Sequence, residues 1–358
     1  MEINKIIIGT MRLKDCDSAI ALIRKAIDAG FNYIDTAPKY RLNNEHENSE
    51  VWVGKALNYK DYRDRVMVST KCATSNGGLE LGDFDKGQGF GVRTKEQFRL
   101  VFEQSLKRLN LDSVDFYHLW ICHNDVLFNE AFKEGGWYEG FLEEKEAGRV
   151  KHLGITTHGD ADTIISFLET GLFETVTLPL NVLNRTRQKA VEYCKDKNIK
   201  VLAMNPLGGG FLAVDERIKE LAFKYLLSLG NVSILVGLTS VEEVEYAVRM
   251  QKEYEANPLS TEFIIDKVKK IIPNGEPRCT GCGYCQPCPN FIDIGAALSY
   301  YNLYKYLGLG QAKQSFGGLQ WNPRFRLDQC ISCGTCEKRC PNNLPVRDII
   351  KDAVKIMY

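Results

Sequence analysis

Residues 6–15, IIIGTMRLKD, read as a short apolar strand running into a polar turn. In an open, doubly wound α/β sheet the first strand enters a G-x-G-x-x-G turn, where the backbone closes on a pyrophosphate. Gly9 is the single glycine here, so that signature is missing. The pattern begun at this strand then repeats. KIIIG (5–9), FNYID (31–35), RVMVST (65–70), VDFYHLW (114–120), VKHLGIT (150–156), TVTLPLN (175–181), KVLAMN (200–205) and VSILVG (232–237) alternate with amphipathic segments. Such alternation is the mark of parallel strands joined by helices. Eight βα pairs in about 250 residues predict a closed (β/α)8 TIM barrel, with the open sheet as the competing arrangement. Helix punctuation agrees: DSAIALIRKAIDAG opens on a capping Asp17 and stops at Gly30, and Thr94-x-x-Gln97 is a capping box.

The 358 residues exceed one average domain, so a barrel over 1–258 and a small C-terminal domain over 259–358 are expected, parted at ANPLSTEF. Lys plus Arg equals Asp plus Glu at 46 each, which offers no global positive field to a nucleic acid or an anionic membrane. No apolar run approaches a signal-peptide core or a membrane span, so a cytoplasmic protein is expected. Residues 72–93, with six glycines, are too long for a plain βα connection and follow the third strand. They are expected to cover the substrate, or else to form a surface excursion.

Cysteine placement is the sharpest signal. Cys16, Cys72, Cys122 and Cys194 are scattered, whereas eight others lie between 279 and 340. CTGCGYCQPCP places Cys279, Cys282, Cys285 and Cys288 at C-x2-C-x2-C-x2-C-P, and CISCGTCEKRCP places Cys330, Cys333, Cys336 and Cys340 at C-x2-C-x2-C-x3-C-P. The second is the bacterial ferredoxin spacing, and the first is one residue shorter before its last Cys. In two-cluster ferredoxins the Cys before Pro ligates the other cluster. On that pattern Cys279, Cys282, Cys285 and Cys340 hold one [4Fe-4S] cluster, and Cys330, Cys333, Cys336 and Cys288 hold the second. A pair of zinc ribbons is the competing reading, but zinc takes four ligands in two pairs rather than a triple plus Cys-Pro.

GFNYIDTAPKY (30–40) sets Asp35 at the end of the second strand with Tyr40 five residues on, and VMVSTK sets Lys71 at the end of the third. A phenol with a pKa near 10 is a poor acid. An adjacent ammonium lowers that value, so Lys71 is expected to tune Tyr40 as a proton donor, with Asp35 holding Lys71. A purely structural Asp35–Lys71 pair is the alternative.

Together with NSEVWVGKAL, VSTK, RVKHLGITTHGD and AMNPLGGGFL, that stretch resembles, in order and over nearly the whole chain, the aldo-keto reductase family. The resemblance is to its branch with a C-terminal ferredoxin-like 4Fe-4S domain. It implies the (β/α)8 fold, carbonyl reduction by nicotinamide hydride, and a catalytic Asp, Tyr, Lys and His. The first three fall on Asp35, Tyr40 and Lys71. The family's histidine position, five residues after Asp115, is Trp120. His118 shares its strand face about 6.6 Å deeper and is the candidate for a polar contact in the pocket. His123 and His158 are the other candidates, and a hydrogen-bonded core histidine is the plain reading of His118.

By the same resemblance, cofactor contacts fall on Gly9, Thr10, Thr156, Thr157, Asn181, Pro206, Leu207, Gly208 and Gly209. Departures accumulate there as well: Thr156 and Thr157 replace Ser and Asn, Thr177 replaces Gln, and Met204 replaces a stacking Tyr. VGLTSVEEVEYAV (236–248) offers no cation for an adenosine 2'-phosphate before Arg249, so NAD(P)H is a candidate cofactor but low affinity for NADPH is expected. A barrel can hold FMN through phosphate contacts at its seventh and eighth loops, which keeps a flavin open. The expectation is an oxidoreductase reducing a small carbonyl or conjugated organic substrate with electrons from a nicotinamide cofactor, from a redox partner, or from both, its two clusters relaying electrons to or from ferredoxin or another redox protein. The alternatives are an electron-transfer protein whose barrel only binds, and an ordinary NAD(P)H reductase with structural clusters.

Overall fold

The structure is a computed structural model that describes residues 2–41, 47–86, 88–272, 278–281, 283–340 and 342–358. Cys282, one of the expected cluster ligands, lies outside the described residues. Strands β1 (Ile6–Gly9), β2 (Tyr33–Asp35), β3 (Met67–Ala73), β4 (Val114–Trp120), β5 (Val150–Thr156), β6 (Thr175–Pro179), β7 (Lys200–Met204) and β8 (Val232–Gly237) form a closed parallel barrel in sequence order. β8 returns to β1 with Ile6 opposite Ile234 and Gly9 opposite Gly237. Closure removes the open-sheet alternative.

Ile3, Ile7, Tyr33, Met67, Phe116 and Leu202 plug the N-terminal end of the barrel. Two residues further along three of these strands the same face turns polar: Asp35, Ser69 and His118 are all buried. Side-chain alternation thus places the polar layer directly above the apolar plug.

Local signals explain the helix boundaries with one shift. The first helix, Cys16–Asp28, starts earlier than Asp17: Asp15 caps it, accepting from Ser18 N at 3.0 Å, and Asp17 joins the first turn. Gly30, at φ +98°, ends it. The Thr94–Gln97 capping box forms as expected on helix Lys95–Leu109. β3 runs three residues past its expected end, so Lys71 stands within the strand. The cause is the segment after it, which folds back: Ala73 N donates to Gly89 O at 2.7 Å and Val92 N to Ala73 O at 2.9 Å.

The chain divides into two compact units. One comprises residues 1–180, 186–206 and 226–259, and the other residues 181–185, 207–225 and 260–358. The second has its own core, in which Leu298, Tyr301, Phe316, Leu327, Ile350 and Met357 surround the buried Cys336 and Cys340. The tyrosine-rich run is a helix, Ile294–Leu307, capped by Asp293; Tyr301 donates to Asp352, and Lys305 lies 2.7 Å from the same carboxylate. No helix among the described residues is long and apolar enough to cross a membrane.

Candidate active site and cluster-binding segments

β2 and β3 bring Asp35 and Lys71 together inside the barrel. Lys71 Nζ donates to both Asp35 oxygens, at 2.6 and 2.7 Å, and Ser69 Oγ donates to Oδ1 at 3.2 Å. Tyr40 Oη stands 3.5 Å from the same ammonium. Burial, helped by the Asp35 carboxylate, pushes the Tyr40 phenol well above its usual range. The lowering expected from Lys71 does not prevail, because Asp35 offsets that ammonium at contact distance. Tyr40 is therefore a protonated phenol beside a neutralised ion pair.

Trp120 stands in this group. Its ring meets Tyr40 edge-on at 5.7 Å and stacks on Phe90 at 4.9 Å. Phe90 comes from the long segment after β3, so that segment does bring an aromatic ring to the Tyr40 neighbourhood. Ile121, immediately after Trp120, has φ +56°. A β-branched residue rarely adopts this conformation, which costs about 1–2 kcal/mol. Strain of this kind is characteristically stored at functional sites.

His118 is fully buried beside Lys71, its register partner on β3. Its Nε2 lies 3.1 Å from Tyr33 Oη and 3.3 Å from Thr175 Oγ1, and its Nδ1 3.3 Å from Thr156 Oγ1 and 3.5 Å from Thr177 Oγ1. Burial and then the Lys71 charge drive the imidazole pKa well down, so it is neutral. Its ring occupies the space that Gly154 leaves: a Cβ there would fall 2.5 Å from His118 Nε2. The expected contact to a pocket is thus met by four protein hydroxyls. Tyr33 and Thr175 were missed in the sequence, although Tyr33 shares the face of Asp35 two residues away.

His123 and His158 form a latch between the segments after β4 and β5. His158 N donates to His123 Nδ1 at 2.9 Å, and Arg187 Nε donates to Gly159 O at 2.7 Å. Burial followed by the Arg187 charge lowers the His123 pKa to about 3.

The expected cofactor residues are engaged within the protein. Thr10 Oγ1 donates to Asp35 O at 3.0 Å, and Thr157 Oγ1 accepts from Gly159 N at 2.9 Å. Asn181 Oδ1 accepts from Leu183 N and Asn184 N at 3.0 and 2.9 Å. Gly208, Gly209 and Gly210 all have positive φ. Gly209 additionally faces the Thr280 carbonyl oxygen, with which any Cβ would collide.

In the C-terminal unit, Cys288, Cys330, Cys333 and Cys336 line one cavity together with Cys285, Gly334 and Ile350. These five cysteines are two from the first motif, Cys285 and Cys288, and three from the second. Among the described residues no three Cys, His, Asp or Glu side chains converge on a single ion. Gly334, at φ +76°, supplies the turn between Cys333 and Cys336.

A closed (β/α)8 barrel with Asp, Lys and Tyr grouped in this way defines a class of oxidoreductases. The aldo/keto reductase family model matches residues 5–218, and the chain belongs to that family. A 4Fe-4S dicluster domain matches residues 278–345. The chain is 26% identical over 310 residues to the L-galactose dehydrogenase of Arabidopsis thaliana, covering 72% of this chain and 88% of that one. An aldo-keto reductase from Bacillus halodurans, in its holo form, superposes with a TM-score of 0.60 at 22% identity, over 75% of this chain and 93% of that one. One from Klebsiella pneumoniae, in complex with NADPH, gives 0.58 at 20% identity, over 74% and 91%.

Proposed function

We propose that this oxidoreductase reduces a small carbonyl or conjugated organic compound at the C-terminal rim of the barrel, using single electrons supplied through two [4Fe-4S] clusters. Tyr40 is the proton donor to the substrate oxygen, Lys71 is the cation that steadies the developing charge, and Asp35 fixes Lys71. His118 is a positioning residue beside Lys71. Trp120 and Phe90 form an apolar wall against which a flat substrate packs. When bound, the clusters would be held by Cys279, Cys282, Cys285 and Cys340 and by Cys288, Cys330, Cys333 and Cys336, and would supply one electron at a time. The cavity lined by Cys285 and Cys288 of the first motif and Cys330, Cys333 and Cys336 of the second carries this reading.

A tightly bound nicotinamide fits less well. The hydroxyls of Thr156 and Thr157 already serve His118 and Gly159, and the open face of Gly209 is taken by Thr280. Electrons therefore come from a reduced redox protein, and no step here uses a bound hydride donor. The test is anaerobic holoprotein assayed with reduced methyl viologen and titrated with NADPH. Viologen-driven turnover that falls by about 10²- to 10⁴-fold in Tyr40→Phe, with weak NADPH binding, is the expected result. Tight NADPH binding with full turnover after Cys→Ser changes in the clusters rejects it.

A further inference from the structure

The two cysteine sets have different surroundings. Cys340 is buried, and Cys279 packs against the core of its unit, where Asn302 Nδ2 donates to Cys279 O at 2.8 Å. Gly209 covers the adjoining Thr280 carbonyl. In the other set Cys336 is buried too, but Cys333 is exposed, and Ile331, a wall of the cavity that Cys288, Cys330, Cys333 and Cys336 line together with Cys285, is 62% exposed. Phe291, between the cavity residues Pro289 and Ile292, is 80% exposed. Asn290 Nδ2 donates to Gln329 O at 2.6 Å, joining these two edges. Large apolar side chains clustered at an exposed edge mark an interaction surface.

Charge indicates what covers it. Arg324, Arg326 and Arg347 are paired with Asp293, Asp328 and Glu337. Lys338 is exposed, and Arg339 donates to the Gln286 and Pro287 carbonyls; neither joins an ion pair among the described residues. The edge is thus apolar at its centre with two uncompensated cations beside it, complementary to an acidic partner.

We infer that Phe291, Ile331, Lys338 and Arg339 form the docking surface for an acidic one-electron carrier protein of the ferredoxin class, next to the exposed Cys333. The inference rests on the single-electron reduction proposed above and names where those electrons enter. Each docking oxidises one carrier by one electron. Two dockings with two protons, one from Tyr40 and one from water, convert C=O to CH–OH.

The experiment uses anaerobic holoprotein with iron and sulfide counted, titrated calorimetrically with a reduced, acidic bacterial ferredoxin. Phe291→Ser and Lys338→Glu line no part of the cavity, and each is expected to weaken binding by about tenfold at unchanged iron content. Added salt is expected to weaken the wild type more than Lys338→Glu. Equal affinity in all three proteins, or no binding by the wild type, overturns the inference. So does self-association of the wild type that Phe291→Ser abolishes, since a second copy would then cover the edge. Viologen needs no docking surface and separates the two claims. Viologen turnover with ferredoxin affinity indifferent to Phe291 rejects only the docking surface, whereas absent viologen turnover with affinity that depends on Phe291 rejects only the reduction.

Discussion

Lys71 is where charge, burial and chemistry meet most tightly. Its ammonium and the Asp35 carboxylate are both almost fully enclosed, at 1% and 2% side-chain exposure. Removing one partner leaves a buried charge unmatched, so Lys71→Met is expected to cost about 3–5 kcal/mol by denaturant unfolding followed through tryptophan fluorescence. Asp35→Asn added to it recovers part of that loss; a double variant as unstable as the sum of the singles contradicts the pairing. Asp35 and Lys71 were legible because strand alternation sends both inward at neighbouring strands, and Tyr40 because it follows the end of β2 by five residues. The satisfaction of His118 was not. Its partners Tyr33, Thr175 and Thr177 come from β2 and β6, and its room comes from Gly154 on β5, so both depend on register, which no local pattern states.

At the scale of elements, the segment after β3 holds most of what the sequence could not give. Its glycines signalled an unusual connection but not its path. Bridges Ser75–Leu81 and Asp85–Phe90, and the bonds from Ala73 and Val92, fold it back on the end of β3 and deliver Phe90 to Trp120. Phe90→Ala removes a stacked, buried ring at about 3–5 kcal/mol, a cost borne mainly by this segment. Limited proteolysis is expected to open new sites within 74–93 while the barrel stays intact, and an unaltered digestion pattern contradicts that anchoring. The C-terminal motifs were read more fully, because ligand spacing is itself the chemistry. The ferredoxin pattern shares the cysteines out between two sets, whereas the cavity beside Gly334 also takes in Cys285, which that pattern assigns to the other set.

For the whole molecule, three enclosed histidines set the response to acid. Burial holds His118, His123 and His158 neutral, with lowered pKa values in each case. In the unfolded chain they protonate near pH 6.5. Below that pH the unfolded state binds protons that the folded state refuses, so stability is full above about pH 7 and falls on acidification. Each histidine contributes up to about 1.4 kcal/mol per pH unit. The thermal midpoint is expected to be level from pH 8 to 7 and to decline from 6.5 to 5; a decline that begins only below pH 4.5 contradicts this.

The eight-strand plan was readable from periodicity. The make-up of the second unit was not, because residues 181–185 and 207–225 are counted with it by spatial neighbourhood rather than by sequence. That make-up bears on how the protein is made. The Gly209 turn leaves the ribosome before Thr280, its neighbour, has been synthesised. Translation can finish long before those inserted residues settle, and with the clusters proposed above the supply of iron and sulfide becomes a late maturation step. A cell short of iron would then accumulate full-length chains with intact barrel strands and unfinished β6 and β7 loops.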